Sequence, residues 1–548
     1  MKKINFLFSA AMLLTVAVGC GGNGDTTTTI RPTTTPTPTT TTPSESTFPE
    51  GYVEDSGVGG TNYRKVDSTE MPVLLSDELQ QEGTICLDSY GDQKILVIPV
   101  EFPDYPADKI VGGKERALQD IKYAFSGKSE ETGWESLHSY YYKSSYGKLN
   151  LDCFVTDWYM NDMSVVDLLD YWAKVSWNQG GNDGYNSSWY WLRGAVEWYR
   201  ENWEEKGWPD IKEFDKNKDG RLDGVWIVNS AAINALGSHD FWAYTYWDYN
   251  NPFVNDNGGY DVEHPVAHAY VNAGYNFLLN GGYTDSEGNK LMDTHTVVHE
   301  TGHLLGLPDY YTYDEGMWGP AGGCDMMDNN VGDHNAFSKI LYRWTSPYIV
   351  EGDAEITLRP FESSGDCIIV KNGWNGHGFD EYLILEYYTP TGLNKQDSEQ
   401  QYMGQYPKLP SKSGIKIYHV DARLGVFDSA TLNNANKSPV DALIRYTDEI
   451  GPSEENGRKV TTVMAHSNTK SRSANRNFYL LHLLEATGRN SFKDGKFMSN
   501  STLFGEGSYF GHKRFEGFIF NDETSLDYVI NVKSVTEEGA TIVFNAKR

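Results

Sequence analysis

A chain of 548 residues with a formal net charge of -30 is too long for one hydrophobic core and too acidic for a nucleic-acid binder, which needs a basic surface. Its 39% hydrophobic and 14% aromatic content excludes a wholly disordered chain and predicts two or three globular units. The acidic balance fits a solvated surface suited to an outside environment.

Residues 1–20, MKKINFLFSAAMLLTVAVGC, begin with Lys2 and Lys3 and continue in an apolar run from Ile4 to Val18. That run is too short for a stable bilayer span and has the pattern of an export signal. Ala17-Val18-Gly19-Cys20 resembles the lipobox of bacterial lipoproteins, which implies lipidation of Cys20 and a membrane anchor at the mature N-terminus. Residues 21–47 are dominated by Thr and Pro and read as a disordered tether. At about 3.1 Å per residue such a tether reaches roughly 80 Å. Residues 48–90 are mixed and Gly-rich, a leader or pro-segment. Cys86, Cys153, Cys324 and Cys367 remain after Cys20; export permits disulfides, and their spacing lacks paired metal-ligand character.

From 91 to 350 strands and helices alternate. KILVIPVEF (94–102) predicts a strand, and SLHSYYYKSSYGKLNLDCFV a helix, a turn at Gly147 and a strand. SWYWLRGAVEWYRENWEEKG has helical period and ends at a glycine. Its aromatic residues, with those of WNQGGNDGYNSSWYW, fit a packed core better than a sugar-stacking surface. GVWIVNSA (224–231) is a strand, and a helix is expected from about Asp293 to Leu305. This order predicts an α/β (α+β) unit. From 351 to 548 short β-like runs such as CIIVKN, EYLILEYY, GIKIYHV and ATIVFN predict an all-β C-terminal region, read as a sandwich.

The stretch HETGHLLGLPD spans 299–309. Residues i and i+4 share a helix face, so the imidazoles of His299 and His303 can close on one zinc ion, with Glu300 beside it. Zinc lowers the pKa of a bound water to about 7, and Glu300 can take that water's proton as general base. Gly306 ends the helix, Pro308 stiffens the return, and Asp309 arrives as a third ligand.

HETGHLLGLPD is similar to the elongated zinc motif of metzincin-type proteases. Together with ILVIPVEFPD, YYYKSSYGKLNL, DKNKDGRLDGVWIV, GGCDMMD followed by AFSKILYRW, and EYLILEYY with GIKIYHVD, it resembles the immune inhibitor A family of secreted bacterial metallopeptidases. The resemblance covers roughly 95–425. It implies a metzincin-like catalytic domain with Asp309 as third ligand and a methionine turn beneath the metal, for which Met327 aligns better than Met326. His334, just beyond, could approach the cleft, but a histidine in such a position is more often a loop residue. Tyr310, Tyr311, Tyr313 and Tyr342 compete as oxyanion donors.

DKNKDGRLD (215–223) places Asp215, Asn217, Asp219 and Asp223 at positions 1, 3, 5 and 9 of a calcium loop, with the Arg221 carbonyl at 7 and Gly220 at the sharp turn. Position 12 is Trp226, so the loop is an incomplete EF-hand that would brace a strand with a structural calcium. The expectation is a surface-anchored or secreted zinc endopeptidase acting on polypeptides. The competing expectations are a non-catalytic surface binding protein or adhesin on a protease fold, which an intact Glu300 disfavours, and an amidase acting on cell-wall peptides.

Overall fold

Strand β1 (Gly91–Glu101) divides its side chains between two cores: Ile95 and Val97 enter one, Leu96, Ile98 and Val100 the other. Successive strand side chains point to opposite faces, so a run apolar at every position needs cover on both. The computed structural model supplies that cover. It describes residues 59–66, 87–171, 188–233, 235–237, 240–248, 260–279, 281–312, 319–371, 378, 380–404, 406–432, 442–447, 453–463, 468, 479–512 and 515–547. The export signal, Cys20, the tether, Cys86, Tyr313 and most of the 48–90 leader lie outside these residues, as does much of WNQGGNDGYNSSWYW.

The first sheet contains β1, β2 (Leu149–Val155), β3 (Val225–Asn229), β4 (Tyr244–Trp247) and β5 (Ala269–Gly274) in the order β2-β1-β3-β5-β4, with the short strand Tyr159–Met160 added beside β1. All pairings are parallel except β4 with β5. Helices α1 (Gly113–Ser126) and α2 (Leu137–Ser144) pack on the face that carries Ile95 and Val97. Helix α3 (Ser188–Lys206) covers the other, burying Trp191, Leu192, Ala195, Val196 and Tyr199. The aromatic stretch thus supplies core, as its helical period predicted. Helix α4 (His295–Leu304) joins α1 and α2, followed by the short helices α5 (Met326–Asn329) and α6 (Ala336–Leu341).

The C-terminal strands are β6 (Tyr348–Leu358), β7 (Cys367–Val370), β8 (Glu381–Tyr388), β9 (Gly414–Asp421), β10 (Leu424–Asp428), β11 (Leu443–Thr447), β12 (Arg458–Val463), β13 (Leu481–Leu484), β14 (Tyr509–Phe510), β15 (Tyr528–Val535) and β16 (Ala540–Ala546); the β-like runs account for β6, β7, β8, β9, β13, β15 and β16, whereas β10, β11, β12 and β14 lie outside them. Eight of them form one sheet in the order β13-β9-β8-β7-β6-β16-β15-β14, antiparallel except between β6 and β7. A ninth strand, Gly59–Lys65 from the leader, pairs antiparallel with β6. Tyr63 stands edge-on to Tyr348, and Val66 is buried in the main core, so this part of the leader is built into the fold. A smaller sheet combines β11, β10, β12 and the two-residue strand Glu454–Glu455.

The large sheet has two buried faces. Tyr382, Ile384, Tyr418 and Val420 join the core that holds Tyr140, Tyr141 and Met327, whereas Leu383, Leu385, Ile415 and Ile417 pack with Phe504, Phe510 and Phe520. The expected boundary at 350 is therefore crossed by continuous packing. The architecture is α+β with several sheets. Cys153, Cys324 and Cys367 are free thiols. No helix among the described residues is long and apolar enough to cross a membrane.

Candidate metal centre

Helix α4 is buried along nearly its whole length, and neighbouring side chains pin its backbone. The hydroxyls of Tyr141 and Tyr342 donate to the carbonyls of Val298 (2.8 Å) and Gly302 (2.9 Å). Trp226 Nε1 donates to the Thr301 hydroxyl at 3.0 Å. The helix ends in a Schellman motif: Gly306 N donates to His303 O (2.9 Å) and Leu307 N to Gly302 O (3.0 Å). Gly306 takes φ 101°, a left-handed conformation that side-chain-bearing residues rarely adopt. The reversed chain then carries Asp309 back toward the histidines.

His299, His303 and Asp309 form the one group of three or more His, Cys, Asp or Glu among the described residues whose ligand atoms all lie within 4.8 Å of one another. Asp309 Oδ1 lies 3.1 Å from His299 Nε2 and 3.5 Å from His303 Nε2. Donor atoms about 2.0–2.2 Å from a tetrahedral zinc stand roughly 3.3 Å from one another, so the donor set fits that ion in kind and in spacing. The imidazole orientations also fit. His299 Nδ1 lies 2.7 Å from Met326 O, and His303 Nδ1 lies 2.7 Å from Leu307 O. A carbonyl can only accept, so each Nδ1 carries a hydrogen and each Nε2 is left facing Asp309, free to bind a proton or a metal ion.

Charge is concentrated here. Burial would raise Asp309, but His303 and His299 hold its carboxyl well below the usual carboxylate range. Burial opposes protonation of both histidines, yet Asp309 carries His303 up to about 9 and leaves His299 above its ordinary value. These shifts describe the metal-free cluster, in which protons stand where a cation would.

Glu300 is buried beside the ligands. Burial lifts its carboxyl above the ordinary value, against the pull of His303 and His299. The Thr245 hydroxyl on β4 lies 2.9 Å from Glu300 O and 3.2 Å from its Oε2. Thr245 was not expected from the sequence; no motif spans the 55 residues between the two.

Met326 and Met327 take different places. Met326 supplies the carbonyl that orients His299. The Met327 thioether packs beneath α4, so close to Gly302 that a Cβ there would come within 2.5 Å of Sδ. His334 is fully buried among Tyr140, Tyr141, Tyr342 and Trp344. Burial, and then Lys339, hold it well below its ordinary pKa, so it is a neutral core residue. Tyr342 is committed to Gly302, and the buried Tyr310 hydroxyl pairs with the Ser338 hydroxyl at 2.7 Å. Tyr311 is half-buried, and Tyr313 lies outside the described residues.

The 215–223 loop folds tightly ahead of β3. Asp215 accepts from Asp219 N (3.0 Å) and Gly220 N (2.9 Å), and Asp223 accepts from Lys216 N (2.8 Å). Asp219 Oδ2 faces Asn217 Nδ2 (3.2 Å) and the Arg221 guanidinium (2.6 Å). Burial raises the Asp215 carboxyl and brings Asp223 up to about 7. Asp215, Asp219 and Asp223 do not converge as the 299–309 ligands do.

No family model matches this chain, and no curated protein matches it.

Proposed function

We propose that this chain is an exported zinc-dependent endopeptidase, metzincin-like in its catalytic half, with a sandwich-like C-terminal half. The observation that carries the proposal is the convergence of His299 Nε2, His303 Nε2 and Asp309 Oδ1, with both Nδ1 atoms held by backbone carbonyls and a buried glutamate alongside. The ordered motifs from ILVIPVEFPD to GIKIYHVD support kinship with the immune inhibitor A family, but the proposal stands on the site, since the comparisons name no family.

His299, His303 and Asp309 would hold the ion. When bound, zinc supplies Lewis-acid character that polarises a peptide carbonyl and acidifies water. Three protein ligands leave a fourth position open, which suits catalysis better than a closed structural site. Glu300 supplies the proton traffic: its carboxylate takes a proton from the attacking water and returns it to the leaving amine. Burial favours the protonated carboxyl midway through this cycle, and Thr245 holds the side chain in place. The buried Tyr141 and Tyr342, bonded to its carbonyls, keep the helix backbone fixed while the proton moves, and Trp226 holds the Thr301 hydroxyl.

The export signal and Cys20 motif support a lipid-tethered location, and the 215–223 loop is proposed as a calcium brace for β3. The deciding experiment is metal analysis of the purified chain together with cleavage of unfolded casein. One zinc per chain with chelator-sensitive cleavage is expected. Zinc-loaded protein that leaves casein, other polypeptides and cell-wall peptides intact would return the chain to the binding-protein reading.

A further inference from the structure

His295 opens α4 one turn before His299 and is 1% exposed. Its ring lies between Trp134 (centroids 3.9 Å apart, planes 3° apart) and Tyr402 (4.2 Å, 29°). Nδ1 is 3.1 Å from Asp293 Oδ1, and Nε2 is 3.2 Å from the Tyr283 hydroxyl. Tyr283 in turn donates to Asp397 Oδ1, and Tyr402 donates to Asp293 Oδ2 at 2.9 Å. Asp397, fully buried, accepts from Gly332 N at 2.7 Å through Oδ2. Asp397 and Tyr402 belong to the C-terminal half; Trp134, Tyr283, Asp293 and His295 belong to the N-terminal half.

Two buried carboxylates and an imidazole are a costly way to fill a core unless every member is partnered. Here every member is partnered, and such networks specify one arrangement of the elements they join. Asp397 touches both parts of the metal centre's support. Through Tyr283 and His295 it reaches the first turn of α4, and through Gly332 it holds the segment after Met326 and Met327. Those parts meet where Met326 O orients His299. Neighbouring bonds repeat the pattern: Asn394 Oδ1 accepts from Asp333 N (3.1 Å), and Glu386 Oε2 from Ala336 N (2.8 Å).

We infer that Asp397 is a positioning residue of the metal centre, contributed by the C-terminal half, which sets α4 against the 325–335 segment so that His299 Nε2 faces Asp309. The inference rests on the metal centre proposed above. The C-terminal half thereby becomes part of the site's support.

The test uses the full chain with Asp397→Asn and, separately, Tyr283→Phe, which removes one hydroxyl and keeps the ring. Amide exchange over 295–304 is measured in the metal-free protein; zinc affinity and the visible spectrum of the cobalt-loaded protein are measured beside it. Exchange in α4 is expected to quicken tenfold or more, zinc to bind about 10–100-fold more weakly, and the cobalt bands to shift. A merely structural role would lower the melting temperature and leave α4 exchange, zinc affinity and spectrum as in the unmodified chain, which overturns the inference. If Asp397→Asn does not fold, Tyr283→Phe decides by the same readings. Failure of the peptidase reading is separately visible: the unmodified chain would bind zinc and cleave nothing, with the positioning comparison still in force. An unmodified chain that takes up neither metal overturns both.

Discussion

His303 Nδ1 lies 2.7 Å from the carbonyl oxygen of Leu307, four residues further along the chain. The turn that ends the helix thus also orients a ligand on that helix. Gly306 makes the turn possible through its left-handed backbone, where a side chain costs about 1–2 kcal/mol. Gly306→Ala is expected to lower stability by about that amount and to weaken zinc binding at least tenfold as Leu307 O shifts. Equal zinc affinity in a calorimetric titration of both proteins would break the link between cap and ligand.

This locality explains what the sequence could disclose. The helix, its cap, two histidines and Asp309 occupy one contiguous stretch, so spacing alone predicted their convergence. Thr245 is brought to Glu300 by the pairing of β4 with β5, and Asp397 reaches His295 across the two halves; both depend on sheet order, which alternation does not encode. The same distinction holds in the C-terminal half. Short β-like runs such as EYLILEYY marked several of the strands, but nothing local says that the leader strand lies beside β6. His334, close in sequence to the methionines, reads from sequence as an ordinary loop residue rather than a cleft residue, and the surrounding aromatic residues claim it for the core.

Asp328 supplies a pH signature. Burial raises it to about 7, above the ordinary carboxylate value, although Gly323 N donates to it at 2.8 Å. The folded chain therefore holds this proton more tightly than the unfolded chain. Its contribution to stability is complete below about pH 4 and is lost as pH rises through 7. Asp328→Asn should remove that loss. The variant's stability relative to the unmodified chain is expected to rise between pH 4 and 7 by on the order of 1 kcal/mol per unit. A difference independent of pH, from denaturant titrations at pH 5 and 8, would contradict the assignment.

Calcium at 215–223 predicts a stabilisation that depends on ion concentration. A ligand that binds only the folded state at one hundred times its Kd adds about 2.7 kcal/mol. Calcium should raise the melting temperature of the zinc-loaded chain, and Asp219→Ala should remove that response while leaving zinc content unchanged. If calcium produces no shift in the unmodified chain, the loop is an acidic turn closed by its own backbone amides and by Arg221.

Glu300 separates chemistry from metal binding. It sits next to His299 but is not among the three converging ligands, and its Oε2 lies 3.2 Å from the Thr245 hydroxyl. Glu300→Gln keeps shape and hydrogen bonding and removes the proton acceptor. Zinc content should stay near one per chain while peptide hydrolysis falls by roughly 10²–10⁴-fold, the usual contribution of general acid–base catalysis. His303→Ala removes a ligand, so zinc and activity should disappear together. Thr245→Val, which loses only the hydroxyl that steadies Glu300, should fall between them, with kcat lowered and zinc retained. Full activity in Glu300→Gln would leave the metal assignment standing and transfer the base to another group.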